Sequence, residues 1–388
     1  MKKAFDTVNH KILLTKLEHY GVRGVIHNWF KSYLSGRKQY VFYNGESSSL
    51  KEISCGVPQG SVLGPLLFLI YINDLPNISE KLQIFLFADD TNIYYESHDL
   101  QYMEKELNKE LEQLILWLNV NRLALNVTKT HFVIFHSVKK IVNYRVTLKI
   151  RKKAIMEKDH VMYLGVTLDT HLNWKHHILN VSKKISRSVG IMYKLKHYMN
   201  SKMLKNIYYS LIFSHIVYAI QIWGSACSTV MEKILVLQKK AVRIMSKHDD
   251  VLTFSGPLVS TNPIFKRLEI LKVEDVFNFH VLKFIYMCLN QSTPQNFRNW
   301  FIPNYNIHSY NTVSNTTINM RNYFEIENVE TTNNIHIERG RLVNYGAKLL
   351  KVLGPNLWNS VPLEIRNAEN IFLFKRNLKL YFVNNYNV

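Results

Sequence analysis

Two adjacent carboxylates set between apolar strands constrain this chain more than anything else in it. Phe87-Ala88-Asp89-Asp90 stands between Ile84-Phe85-Leu86-Phe87 and Ile93-Tyr94-Tyr95. Both flanks read as strands, so the acids fall at or near the tip of a β-hairpin. Apolar flanks draw such a hairpin into a sheet, whereas two negative charges resist burial unless a cation offsets them. Hard cations take oxygen ligands, so paired acids at the floor of a cleft suit a Mg²⁺ site that handles phosphates. An isolated acidic turn is ordinarily just solvated; its neighbours decide here.

Upstream lies Gly56-Val57-Pro58-Gln59-Gly60-Ser61-Val62-Leu63-Gly64-Pro65, followed by the apolar run Leu66 to Ile72 and then Asn73-Asp74. Glycine and proline fix a loop, Gly60 permits close backbone approach, and the apolar run continues as a buried helix. A glycine-rich turn feeding a helix makes a bed for a nucleotide or for the template base opposite it.

With these two motifs in place, the chain resembles the reverse transcriptases of non-LTR retrotransposons, most closely the jockey-like group of LINE elements. Lys3-Ala4-Phe5-Asp6-Thr7-Val8-Asn9-His10 is similar to the tail of that family's first palm motif. Gly56 to Pro65 resembles the second motif and Phe87 to Asp90 the third. Asn121 to Thr130 resembles the fourth, and Tyr163-Leu164-Gly165-Val166-Thr167-Leu168-Asp169 the fifth, the primer grip.

The resemblance implies an α+β fold. A right-hand polymerase palm with partial fingers, built on an RNA-recognition-like antiparallel sheet, is followed by a mostly helical thumb and C-terminal region. It implies RNA-directed DNA polymerase activity by two-metal nucleotidyl transfer, with Mg²⁺ as cofactor and an RNA template, a DNA primer and a deoxynucleoside triphosphate as partners. Asp89 and Asp90 are the implied catalytic acids and metal ligands. Phe5 stands where the family's steric gate lies; the alternative is a core aromatic beside Trp29 or Phe30. Gln59 and Gly60 match positions near the incoming nucleotide and template, and Lys129 matches a lysine placed to protonate or neutralise the departing pyrophosphate. Tyr163, Leu164 and Gly165 would hold the primer end.

One departure stands out. The family's first motif reads Asp-x-x-Lys-Ala-Phe-Asp, and aligning Lys3 to Asp6 with it places the leading Asp one residue ahead of Met1. Asp6 belongs to the start of the following helix, on a different bearing. The sequence thus reads as an N-terminally truncated polymerase, catalytically impaired as it stands because electrostatic stabilisation is often the largest catalytic term. The alternative is a decayed or domesticated relic acting only as an RNA-binding protein. Target-site nicking is not expected, because no endonuclease pattern is visible.

Charge agrees with a polyanionic partner: Lys and Arg total 49 against 29 acids, a net charge of +20, and neutralising phosphates drives such binding. Lys183, Lys184, Arg187, Lys194 and Lys196 share a segment with Ile178, Val181, Ile185, Val189, Met192 and Leu195, which recur at helical spacing. That pattern predicts an amphipathic helix with one basic and one apolar face. A merely solvated basic face is the bland alternative for any one lysine.

Hydrophobic content of 47% excludes wholesale disorder. Cys55, Cys227 and Cys288 are few and far apart, which suggests reduced thiols and no zinc or disulfide framework. No signal peptide is visible, and Leu66 to Ile72 is too short to span a bilayer; an intracellular location, nuclear or cytoplasmic, is expected. His176-His177 has no third ligand nearby, so both read as surface histidines. The organisation expected is a palm with primer grip over 1–169, a helical thumb over 170–302, an Asn/Thr-rich linker over 303–335, and a C-terminal segment over 336–388. Leu353-Gly354-Pro355-Asn356-Leu357-Trp358 resembles the closing segment of jockey-type elements, with Trp358 read as a packing anchor.

Overall fold

The computed structural model describes residues 1–246, 260–301, 335 and 350–386. The chain forms two units, Met1–Val161 and Met162–Val388. The expected linker lies almost wholly outside the described residues. Each unit mixes helices with small sheets, and among the described residues every sheet has two strands. The single antiparallel sheet expected of a palm does not form among the described residues: the pairs are separate, and His131–Phe132 pairs with Met156–Glu157 in parallel.

The first unit opens on a 3-10 turn, Ala4–Asp6, and a helix, His10–His19. The Asn9 side chain accepts from the Ile12 amide at 3.1 Å, satisfying a donor at the helix start. Gly21, at φ +89°, ends the helix in a conformation glycine adopts without strain. A second helix covers Gly24–Leu34.

A long exposed hairpin follows, pairing Lys38–Gln39 with Lys51–Glu52 and Phe42–Tyr43 with Glu46–Ser47. Its turn is Asn44-Gly45, with φ 50° and 87°, the combination that matches strand twist. Trp29 packs edge-on against Phe30 and stacks on Tyr33, so neither is the partner of Phe5.

The apolar run forms the helix Leu63–Ile72, with Pro65 in its first turn, where a missing N–H costs nothing. Its Leu67, Phe68, Tyr71 and Ile72 are buried together with Leu13 and Leu17 and with Leu111, Leu114 and Leu118 of the helix Leu100–Val120. The last of these helices packs against Leu75–Ile78 and the strand Lys149–Ile150.

In the second unit the helix Lys175–Leu195 lays Ile178, Val181, Ile185 and Met192 into the core and packs along the helix Ser228–Ser246. Lys183, Lys184, Arg187 and Lys194 are exposed, as the periodicity predicts. Lys196 departs from this pattern: it is buried at 9% exposure, its ammonium 3.7 Å from the Tyr193 ring centroid.

The surface reading of His177 is also corrected. His177 is 4% exposed, and its Nδ1 accepts from the Thr167 amide at 3.2 Å. Helical phase separates the pair, because His177 shares a face with Val181 and Ile185 while His176 is turned outward. Burial, reinforced by Lys184, holds the His177 imidazole below the usual histidine range.

The helix Val273–Leu289 carries the chain's C-terminal elements, Leu350–Asn359 and Ile371–Asn384. Trp358 is buried and stacks on Phe374, which stacks in turn on Tyr286 with ring centroids 4.4 Å apart. Trp358 is thus the packing anchor expected. Cys55, Cys227 and Cys288 form no disulfide. No helix among the described residues is long and apolar enough to cross a membrane.

Candidate active site

The acidic motif folds as the sequence predicts. Gln83–Phe87 pairs antiparallel with Asp90–Tyr94, and Phe87 lies opposite Asp90, which leaves Ala88 and Asp89 as the turn. Ala88 adopts φ 49°, a left-handed conformation that glycine normally occupies at the first central position of such turns. Ile84, Leu86 and Ile93 pack against the core while Asp89 and Asp90 stay exposed. Among the described residues neither carboxylate makes an ion pair. Two unneutralised carboxylates at one turn supply oxygen donors suited to a hard cation. Mg²⁺ in particular is commonly held by one or two carboxylates together with water and phosphate oxygens. No group of three or more His, Cys, Asp and Glu placed to hold a metal occurs among the described residues.

The segment Met1–Val8 joins three other motifs to one another. The Met1 amino group donates to the Asp89 carbonyl at 3.2 Å, setting the first motif beside the acidic turn. The Lys2 amide donates to the Ala124 carbonyl at 2.8 Å, within the fourth motif. The Val57 amide donates to Phe5 at 2.9 Å and the Gly56 amide to Val8 at 2.7 Å, which fastens the second motif. His10 Nε2 lies 2.7 Å from the Gly56 carbonyl. Gly56 sits at φ +92°, and a Cβ there would come within 2.9 Å of the Asp6 carbonyl oxygen. Only glycine lets the two strands of this clamp approach so closely.

A buried phenol adds a further link. Tyr71, fully buried, accepts from the Asn9 amide at 3.3 Å and donates to the Asn121 carbonyl at 2.6 Å. Burial pushes its hydroxyl above the usual tyrosine range, so the donor is kept. Behind it, Lys16 Nζ donates to the Tyr71 carbonyl and to Asp74, both at 2.6 Å, and lies between the rings of Tyr71 and Trp117. Burial draws the Lys16 ammonium below its ordinary range, and the hydrogen bond to Asp74 opposes that shift.

Phe5 is half-buried and stacks on Phe68, ring centroids 4.5 Å apart. Gln59 and Gly60 are exposed in their loop, and Gln59 Nε2 donates to Asp6 Oδ1 at 2.8 Å. Lys129 ends an exposed 3-10 turn, Val127–Lys129, and no hydrogen bond or ion pair among the described residues draws it to the acids.

Tyr163, Leu164 and Gly165 belong to the second unit, Tyr163 closing the strand His160–Tyr163 and Leu164-Gly165 forming the turn to Val166–Asp169. Asp169, buried, accepts from the amides of His171, Asn173 and Trp174 at 3.2, 3.0 and 2.9 Å, ordering the approach to the following helix. Reading the sequence missed His10, Tyr71, Asp169 and the Asp6–Gln59 bond. Of these only Asp169 carried a signal, as an acid able to accept from the amides of the turn that follows it.

Known proteins resemble much of this chain. Residues 1–168 match the family described as Reverse transcriptase (RNA-dependent DNA polymerase). The chain is 30% identical over 256 residues to the RNA-directed DNA polymerase from mobile element jockey of Drosophila melanogaster, covering 63% of this chain and 28% of that protein. It is 27% identical over 253 residues to the probable RNA-directed DNA polymerase from transposon X-element of the same species, covering 63% of this chain and 27% of the relative. The probable polymerase from transposon BS, also of Drosophila melanogaster, is 28% identical over 262 residues, with 63% and 28% covered. The match thus spans under a third of each of these relatives. Residues 1–168 are a reverse transcriptase domain, and the chain is similar over 63% of its length to the polymerases of jockey-like non-LTR retrotransposons.

Proposed function

We propose that this chain is the polymerase portion of an RNA-directed DNA polymerase that extends a DNA primer on an RNA template. The observation that carries the reading is the junction at Met1–Val8, which holds the acidic turn, the glycine-rich loop and the fourth motif together through main-chain hydrogen bonds. Within it, Met1–Val161 serves as the palm with part of the fingers. The helices of the second unit serve as a thumb whose exposed Lys183, Lys184 and Arg187 track the nucleic-acid backbone.

Asp89 and Asp90 would hold Mg²⁺, which supplies activation of the attacking 3′-hydroxyl and neutralisation of the pyrophosphate leaving group. Phe5, its ring held against Phe68, stands as a wall against a ribose 2′-hydroxyl and so favours deoxynucleotides. Gln59 and Gly60 border the incoming nucleotide. Lys129, free to reach outward, gives a proton or a positive charge to the departing pyrophosphate. Tyr163, Leu164 and Gly165 hold the primer end by shape and backbone contact.

In the family's first motif a third carboxylate stands one position ahead of the residue that aligns with Met1. The 3.2 Å bond from the Met1 nitrogen to Asp89 would set such a residue beside the acidic turn.

The test is RNA-templated primer extension with Mg²⁺, comparing the 388-residue chain, the same chain preceded by an apolar strand ending in Asp, and that longer protein carrying Asp89→Asn. Extension by the longer protein, lost in its Asp89→Asn form, is expected. Equal extension by the 388-residue chain would refute the requirement for the third carboxylate. Full activity of the Asp89→Asn protein would refute the site itself.

A further inference from the structure

We propose that a cavity in the second unit is a binding site for an unstacked guanine base, with Asp275 accepting from its N1–H and 2-amino groups. The cavity, of about 300 Å³, lies between the helices Val273–Leu289, Leu350–Asn359 and Ile371–Asn384. A volume of that size is at the small end of ligand pockets and suits a single base.

Among the described residues Asp275 is the only acid that lines it. The Tyr386 hydroxyl donates to Asp275 Oδ2 at 2.6 Å and accepts from the Lys272 amide at 2.9 Å. Burial, and Asp275 itself, hold that hydroxyl above the usual tyrosine range, so it stays the donor. No other hydrogen bond and no ion pair reaches the Asp275 carboxylate among the described residues. A carboxylate offers about four lone-pair sites, so most of this one's capacity is left for a ligand. Burial pushes the Asp275 carboxyl above its ordinary range, while Tyr386 and Lys272 oppose that shift. A half-buried anion short of donors gains from a ligand that brings N–H groups to it.

The remaining wall selects the body that carries those groups. Tyr381, Phe382 and Leu357 offer apolar surface to a flat ring. Asn278 and Asn385 also line the cavity, and neither side chain is hydrogen-bonded among the described residues. Two adjacent N–H donors on a flat body occur in a guanidinium and on the Watson–Crick edge of guanine. Lys272 discriminates between them. Its ammonium lies 4.4 Å from the Tyr386 ring centroid, and its charge favours the Asp275 anion. That charge repels a second cation and tolerates a neutral base. A guanidinium also has no acceptor to offer Asn278 or Asn385, whereas guanine carries O6 beside N1–H.

Other bases fit the carboxylate poorly. Adenine and cytosine set an unprotonated ring nitrogen next to their amino group, and uracil sets its single N–H between two carbonyls. Each would bring an acceptor against Asp275. The net charge of +20 favours a nucleic-acid strand as the carrier of the base. Unpaired RNA bases are read in this manner, by their Watson–Crick edges against aromatic walls.

The experiment titrates the full chain with guanosine, inosine, adenosine and N-acetyl-arginine amide, followed by ligand-observed NMR. Nucleosides carry no phosphate, so surface lysines do not capture them. Inosine differs from guanosine only in lacking the 2-amino group. Guanosine should bind most tightly and inosine roughly tenfold or more weakly, the range of one hydrogen bond to a charged acceptor. Asp275→Asn keeps an acceptor for Tyr386 and should erase the difference between the two, with the thermal midpoint little changed. Ser360→Phe sets a ring at the exposed rim of the cavity and should abolish guanosine binding. If Asp275→Asn proves unstable, Ser360→Phe decides alone.

Equal binding of guanosine and inosine, or no binding of guanosine, would overturn the proposal. Guanosine binding that survives both substitutions would place it elsewhere and overturn the site. Tighter binding of the arginine derivative, lost in Ser360→Phe, would assign the cavity to a peptide side chain and overturn the guanine reading.

Discussion

The Tyr218 hydroxyl donates to the carbonyl of Leu164, and its ring lies 3.2 Å from where a Cβ on Gly165 would stand. Leu164 itself adopts φ 44°, a left-handed conformation costly for a residue with a side chain. An aromatic residue more than fifty positions along the chain thus holds a strained turn in place. Strain of this kind persists only where surrounding contacts over-determine it.

Tyr218→Phe should release that turn while leaving the helices intact. Because Tyr218 is exposed at 53%, global stability should fall by only roughly 0.5–1.5 kcal/mol. Amide exchange at Gly165 and Val166 should accelerate well beyond that. Exchange as slow as in the unsubstituted chain would show that the hydroxyl does not restrain the turn.

Gly56→Ala and Gly21→Ala separate backbone strain from crowding. Both glycines have φ near +90°, but a Cβ at Gly21 meets nothing within 4 Å whereas one at Gly56 meets the Asp6 backbone. Gly21→Ala should cost about 1 kcal/mol from conformation alone, and Gly56→Ala at least about 2–3 kcal/mol. Urea unfolding of the two variants checks the order; equal losses would mean the clamp yields freely.

At the acidic turn, Ala88 holds a left-handed conformation worth roughly 1–2 kcal/mol of strain for an L-residue. Ala88→Gly should therefore be neutral or stabilising by up to about 1 kcal/mol, even though glycine gains entropy on unfolding. Ala88→Val, β-branched, should be clearly destabilising. Reversal of that order in chemical denaturation would place the turn in another conformation.

The half-buried His280 gives a pH dependence. Burial first, and Lys283 second, lower its imidazole from the ordinary value of 6.5 to about 4. The unfolded chain therefore takes up a proton below pH 6.5 that the folded chain refuses until about pH 4. Stability present at neutral pH should decline through that window, with a thermal midpoint lower by about 2–4 °C for each kcal/mol lost. His280→Asn should flatten the decline, and an identical profile in that variant would assign the titration to other groups.

Local pattern determined much of this protein. The Asn9 cap and Gly21 stop, the Asn44-Gly45 turn, the acidic hairpin and the faces of the helices Leu100–Val120 and Lys175–Leu195 follow from neighbours a few residues apart. The five motifs, read in order, also identified the family. Tertiary structure decided the rest, because the deciding partners are distant in the chain. Phe5 could have met Trp29 or Phe30, and stacks on Phe68 instead. His177 was inseparable from His176 until helical phase and the Thr167 amide put it inside. Asp6 showed only that it was a poor stand-in for a metal ligand; its bond to Gln59 exists because Gly56 lets two backbones close to within van der Waals contact. Sequence periodicity fixes which face a residue occupies, but only folding fixes what stands opposite.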